Sequence, residues 1–115
     1  MKKTIIALQP HELGQIIDYV HDRSYDLDCV EFDRQNQKLR IPIRLNKKGL
    51  EGILFVLKVT DYKISDEAEI GEGDINTIEY KDGQVLIRGA IPVNINIEVD
   101  DLRLELMLPD DAPLA

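Results

Sequence analysis

The residues best suited to chemistry in this chain are His21 and Asp22, which stand side by side. A carboxylate that orients an imidazole lets the ring take up and release a proton. Neighbouring residues of a helix point about 100° apart, however, so this pair is not a natural dyad on the helix predicted to carry it. The chain also lacks the serine nucleophile motif G-x-S-x-G. His21 and Asp22 are therefore weak candidates, and we expect no enzyme.

Cys29 is the single cysteine, and His11 and His21 are the only histidines. A thiol beside an imidazole can act as a nucleophile, but a lone cysteine is more often a small apolar side chain on or beside a sheet. One cysteine and two histidines ten residues apart match none of the usual zinc spacings. We expect neither a metal nor a cofactor.

The segment from Ser65 to Asp74 is strongly acidic and is predicted to be a loop. Its acids are the candidate partner-binding residues, namely Asp66, Glu67, Glu69, Glu72 and Asp74. Carboxylates on a flexible turn can bind a hard cation, yet Ala68 and Ile70 stand where an EF-hand loop needs oxygen ligands. A solvated acidic loop is the plain interpretation, and a surface that binds a protein is the main alternative.

Acidic residues outnumber basic ones by 22 to 14, which gives a formal net charge of −8. Such a surface repels phosphate backbones, so nucleic acids and anionic membranes are disfavoured as partners. A basic protein is favoured, although solubility alone also explains an acidic surface. The single Cys29 favours a reducing compartment, and no apolar run approaches the roughly 20 residues of a membrane span. We expect a cytoplasmic protein.

An amphipathic helix is predicted from Pro10 to about Asp22. Proline suits the first helical turn, and four residues repeat at the spacing of one helix face. They are Leu13, Ile16, Ile17 and Val20. The segment Thr4 to Leu8 is either a short first strand or an extended lead into this helix.

The run from Ile53 to Val59 is the most hydrophobic in the chain and follows Gly49 and Gly52. It is too short for a buried helix, so it predicts a central strand that is covered on both faces. We expect this strand to continue through Ile64 as one long, twisted element.

The remaining strands follow from apolar residues at every second position. They are expected around Val30 to Phe32, Leu39 to Leu45, Ile75 to Tyr80, Val85 to Ile91, Val93 to Val99 and Leu102 to Leu108. Pro42 lacks a backbone donor and suggests a sheet edge or a bulge. Asp82-Gly83 predicts a tight hairpin turn. At Asp100-Asp101 we favour a hairpin over a bulge within one long strand.

These elements predict an α+β domain, in which one N-terminal amphipathic helix packs on a curved, mostly antiparallel sheet of six or seven strands. Residues 1–108 are expected to form a single domain, and residues 109–115 a loose C-terminal tail. No alternation of strand and helix indicates a doubly wound or barrel enzyme.

The helix, His21-Asp22-Arg23, the strand ending Val30-Glu31-Phe32-Asp33 and the meander after it resemble a group of small bacterial single-domain proteins. Some of these are similar to immunity proteins, which neutralise a cognate toxin. The resemblance covers Gln9 to Val59 and implies a binding module without a cofactor.

Two functions remain open. The first is a protein-binding module, of the immunity inhibitor type, that meets a basic partner and carries out no catalysis. The second is a homo-oligomeric structural or accessory protein, which pairs through an exposed strand edge or the apolar face of its last hairpin.

Overall fold

The computed structural model describes residues 3–115, which form one helix, two short 3₁₀ turns and eleven strands. The strands are β1 Lys3–Ala7, β2 Ser24–Asp26, β3 Glu31–Asp33, β4 Lys38–Arg44, β5 Glu51–Val56, β6 Val59–Ser65, β7 Glu72–Asp74, β8 Thr77–Lys81, β9 Gln84–Arg88, β10 Asn94–Val99 and β11 Leu104–Leu108. The 3₁₀ turns span Pro10–Glu12 and Leu27–Cys29, and the helix, α1, spans Leu13–Val20.

The strands form two antiparallel sheets. In the seven-stranded sheet A the order is β1-β11-β5-β4-β2-β7, and β3 pairs with β4 on the side that β2 also occupies. In the four-stranded sheet B the order is β6-β10-β9-β8. The predicted α+β class, with an N-terminal helix on antiparallel strands, is confirmed.

One apolar core joins the inner faces of both sheets to the helix. Buried and exposed residues alternate along the long strands, as the pleat of a strand dictates. On β11, for example, Leu104, Leu106 and Leu108 are buried, and Glu105 and Met107 between them are partly exposed. At roughly 25 cal/mol for each Å² of apolar surface removed from water, these inward rows are the main source of the stability of the fold.

Helix α1 begins and ends for local reasons. The Glu12 carboxylate accepts hydrogen bonds from the backbone N–H groups of Leu8 and Gln9, each at 2.9 Å, which fixes the first turn. The helix ends at Val20 because His21 takes an extended ψ of 132° and Asp22 a positive φ of 61°. It therefore stops two residues before the predicted end at Asp22.

The long central strand that we expected is instead two strands in different sheets. β5 ends at Val56 in sheet A, and β6 begins at Val59 in sheet B. Between them Lys58 adopts a φ of +56°, which turns the chain from one sheet to the other. Leu57 and Lys58 thus form a corner rather than the middle of a strand.

The expected hairpin at Asp100-Asp101 is also wrong, because β10 belongs to sheet B and β11 to sheet A. This second crossing lies beside the first. Asp100 N–H donates to the Lys58 carbonyl and Leu57 N–H to the Arg103 carbonyl, both at 2.9 Å. The two crossings therefore support each other's backbone hydrogen bonds.

Other local predictions have mixed outcomes. The Asp82-Gly83 turn is confirmed, with φ values of +52° and +76° between β8 and β9. Pro42 is not on an edge strand, since β4 pairs with β5 on one side; on the other it lies between the positions paired with β3 and β2. That interruption removes the need for a donor at Pro42.

Two segments differ from the expected loops. Residues Glu72–Asp74, expected within the acidic loop, form β7 and pair with β2. The C-terminal segment lies against the helix: Ala115 N–H donates to the Asp18 carbonyl at 2.8 Å, and Arg23 Nη2 donates to the Leu114 carbonyl at 3.2 Å. Within the described part of the chain, no helix is long and apolar enough to cross a membrane.

Candidate functional site

The acidic segment after β6 is a built turn rather than a loose charge run. The Asp66 carboxylate accepts hydrogen bonds from the N–H groups of Ile70 and Gly71, each at 2.8 Å, and its carbonyl accepts from Glu69 N–H at 3.1 Å. Glu69 and Gly71 have φ values of +54° and +78°, so the chain is tightly folded here. Asp66 therefore holds the turn and does not point to a partner.

Glu72 is occupied by an internal ion pair. The Arg44 guanidinium on the neighbouring part of sheet A donates to Glu72 Oε1 and Asp26 Oδ2, both at 2.8 Å, and to Ser24 Oγ at 3.1 Å. The hydrogen bond to Asp26 and the charges of both carboxylates hold the pKa of Arg44 above its ordinary value, against the effect of desolvation. This fork ties the short β7 to β2 and β4.

Asp74 also serves the fold. Its carboxylate accepts hydrogen bonds from Ile91 N–H at 2.9 Å and Ala90 N–H at 3.2 Å, in the segment after β9. Asp74 thus fixes the path of the chain between β9 and β10. Three of the five predicted partner-binding acids, Asp66, Glu72 and Asp74, have internal roles.

The other two acids lie on the surface of the turn. Glu67 and Glu69 are exposed, and Ile70 beside them has 44% of its surface exposed. We call residues 67–70 the acidic tip. A shallow depression next to it is lined by Ser65, Glu67, Ala68, Pro92 and Asn94. The tip combines two carboxylates with one exposed aliphatic side chain on a fixed backbone, a combination suited to a basic and partly apolar protein surface.

The histidine and cysteine candidates belong to other elements. His21 and Asp22 follow α1, and Cys29 ends the 3₁₀ turn Leu27–Cys29, in which Leu27 N–H donates to the Gly71 carbonyl at 3.0 Å beside the tip. His21 Nδ1 lies 3.3 Å from Asp22 Oδ2, with the side chains 48% and 74% exposed. The helical argument against this contact does not apply, because both residues lie beyond the end of α1. Cys29 is exposed. Among residues 3–115, no group of three or more His, Cys, Asp or Glu side chains is arranged to hold a metal ion.

One surface that the sequence analysis missed is the outer face of sheet A, the side turned away from the core. Apolar side chains lie on its strands at Ile6, Ile53, Phe55 and Met107. None of them packs against the core cluster, and Ile6 is 41% exposed. We call these four residues the apolar face. Its signal in the sequence was the unbroken hydrophobic run of β5, which predicted a strand covered on both faces.

Comparisons of the chain with protein-family models, with curated protein sequences and with solved structures gave no match. The resemblance to immunity-type proteins therefore stays a prediction, and the geometry alone supports the functional argument.

Proposed function

We propose that this protein is a protein-binding module without catalytic activity, which meets a basic partner through its acidic tip. An immunity-type inhibitor that neutralises a bacterial partner protein is the form of this function that we favour, and the cytoplasm is the proposed location because Cys29 is a free, exposed thiol. The observation that supports the proposal is that the acids of this segment have two different roles. Asp66 fixes the backbone of the turn, whereas Glu67 and Glu69 are exposed to solvent.

The fixed backbone of the tip favours binding. A loop already held in one conformation loses less conformational entropy when a partner binds, so more of the contact energy appears as affinity. Asp66 provides that constraint through its two backbone hydrogen bonds. Glu67 and Glu69, together with the net charge of −8, favour fast association with a cationic surface.

Ile70 gives the tip a second kind of contact. An exposed isoleucine adjoining carboxylates can enter an apolar pocket on a partner, and such central apolar contacts usually control the dissociation rate. The acids and the isoleucine therefore predict separable effects on binding kinetics.

The test uses the partner captured from the native cell by the full chain and then purified. We expect the double variant Glu67→Gln/Glu69→Gln to lower the association rate about tenfold at low salt and to reduce its salt dependence. We expect Ile70→Ser to raise the dissociation rate about tenfold. Surface plasmon resonance at several NaCl concentrations measures both rates.

The matched control is Glu79→Gln/Glu98→Gln, which makes the same change of charge on the outward side of sheet B, where both residues are exposed. It should leave the association rate within about twofold. Melting temperatures of all variants should stay near that of the unaltered protein, because none of these side chains supports the core. Equal effects of the tip and control variants would show that net charge, and not the tip, governs capture.

A further inference from the structure

The apolar face lies at the centre of sheet A, where most proteins bury both sides of a strand or place polar residues outward. β5 is the third strand of that sheet and pairs with β11 and β4. Its inward residues Leu54 and Val56 are fully buried, whereas Ile53 and Phe55 point outward and remain partly exposed. Apolar side chains grouped on the outer face of a sheet can mark an interaction site.

Charged residues are arranged around Phe55 in a pattern that can complement itself. Phe55 pairs in register with Glu105 of β11 on one side and with Arg40 of β4 on the other. Arg40 is only partly exposed, yet its guanidinium makes no hydrogen bond or ion pair with the described residues. Glu105 Oε2 accepts from Arg103 at 2.8 Å, so that its other carboxylate oxygen has acceptor capacity left.

We propose that the apolar face is the interface of a symmetric dimer, in which it packs on the same face of a second copy of this chain. A two-fold axis along β5 lays β11 of one copy over β4 of the other. Phe55 then meets Phe55, each Glu105 meets an Arg40, and at the rim each Ile6 faces Glu31 of β3. In the adjacent register row Ile53 meets Ile53, and Met107 lies over the part of β4 that carries Pro42, a residue already buried within one chain.

The charge of the whole protein favours this face over the rest of the surface for self-association. Two copies that each carry a net charge of −8 repel one another. The centre of sheet A offsets that repulsion locally, since Lys38 and Arg40 of β4 accompany Glu105 of β11. Lys38 Nζ already lies 5.0 Å from the centre of the Phe55 ring. In the proposed dimer Arg103 faces Lys38 at the rim, where water screens like charges.

The size of the face predicts a weak dimer. Five adjacent strands span about 20 Å across and about 17 Å along their length, a flat footprint of about 350 Å². Side-chain relief enlarges this area, but it stays well below the roughly 800 Å² per partner that a stable specific interface buries. We therefore expect a dissociation constant in the range of about 10 to 100 µM.

Sedimentation equilibrium between about 5 and 500 µM protein tests the proposal. The average mass should rise from one chain toward two. Arg40→Glu should weaken the dimer at least tenfold, because it places two carboxylates together in each half of the interface. Glu105→Arg should weaken it as well. An equimolar mixture of Arg40→Glu with Glu105→Arg should recover association, because each charge then meets its opposite.

Lys63→Glu is the matched control, since it makes the same charge reversal on the outward side of sheet B, and it should leave the dissociation constant within about twofold. A single-chain mass at 500 µM overturns the proposal and leaves the face to a different protein. Failure of the mixture to associate overturns the two-fold arrangement along β5. The dimer test uses no partner of the acidic tip, so its failure leaves the proposed function standing.

Discussion

Tyr25 is fully buried, yet its hydroxyl has no hydrogen-bond partner among the described residues. It crosses β7 at Gly73, the residue with which it pairs. A Cβ added to Gly73 would lie 2.5 Å from Tyr25 Oη, so only glycine leaves room for this ring. Burial, and secondarily the charge of Asp74, raises the pKa of Tyr25 to about 12 from its ordinary 10.0.

This pKa shift makes stability depend on alkaline pH. Between pH 10 and 12 the unfolded chain releases the Tyr25 proton while the folded protein keeps it. Ionisation of Tyr25 therefore costs no stability below pH 10, and the free energy of unfolding falls as the pH rises from 10 toward 12. The full loss amounts to roughly 2 to 3 kcal/mol.

We predict that Tyr25→Phe leaves the free energy of unfolding at pH 7 within about 1 kcal/mol, because the hydroxyl it removes is buried without a partner. The variant should lose less stability than the unaltered protein between pH 9.5 and 11.5. Urea unfolding at steps of pH measures the difference. Tyr80→Phe, which alters a partly buried tyrosine elsewhere, is the control; if it removes the alkaline loss as well as Tyr25→Phe does, the assignment to Tyr25 is wrong.

At the scale of elements, periodicity predicted local structure well and sheet membership poorly. The Asp82-Gly83 hairpin follows from two neighbouring residues with positive φ, which is local chemistry. At both corners the buried alternation shifts by one residue, from Val56 to Val59 and from Val99 to Leu102. A bulge, a hairpin and a crossing between sheets all fit such a shift. Only contacts between distant segments separate them.

The same limit applies to the candidate site. Composition alone located the acidic segment, but it could not tell Glu72 from Glu67. Their difference comes from Arg44, which is 28 residues from Glu72 in sequence and reaches it only after β4 and β7 flank β2. The prediction that β5 is covered on both faces failed for a related reason. A hydrophobic strand indicates that both of its faces are buried, but it does not indicate whether the residues that bury them belong to the same chain.

Lys58 provides a test of the first corner. Its φ of +56° is costly for residues branched at Cβ and free for glycine. We predict that Lys58→Val lowers the free energy of unfolding by about 2 kcal/mol, while Lys58→Gly changes it by less than about 1 kcal/mol. Chemical denaturation measures both.

The Lys58 ammonium lies 3.5 Å from Asp101 Oδ2, an exposed pair that both substitutions remove. The difference between valine and glycine is therefore free of that ion pair. Similar stabilities of the two variants would contradict a left-handed backbone at residue 58.

At the scale of the whole molecule, the excess of eight negative charges opposes folding into a compact shape. The ion pairs of Arg44, Arg103 and Lys58 are partly or largely exposed and each contributes little. Screening by salt should therefore weaken the repulsion among the excess negative charges more than it weakens the attraction within these ion pairs.

We predict that raising NaCl from about 10 to 200 mM increases the melting temperature by a few degrees. Calorimetry at low protein concentration measures it without interference from self-association. The double variant Glu67→Lys/Glu69→Lys raises the charge by two units at each position, which changes the net charge from −8 to −4. Its melting temperature should depend less on the NaCl concentration. A melting temperature that falls with NaCl would show that attractive pairs outweigh the net charge.

The pairing of β1 with β11 sets a condition on how the protein is made. β1 is the first described strand, β11 is the last, and they are neighbours in sheet A. A ribosome adding about 5 to 20 residues per second needs about 5 to 20 s to supply the roughly 100 residues between them. From its own synthesis until that of β11, β5 also lacks its β11 partner. The sheet would thus close only after β11 has been synthesised, and chaperones that shield apolar strands would act on this chain before that point.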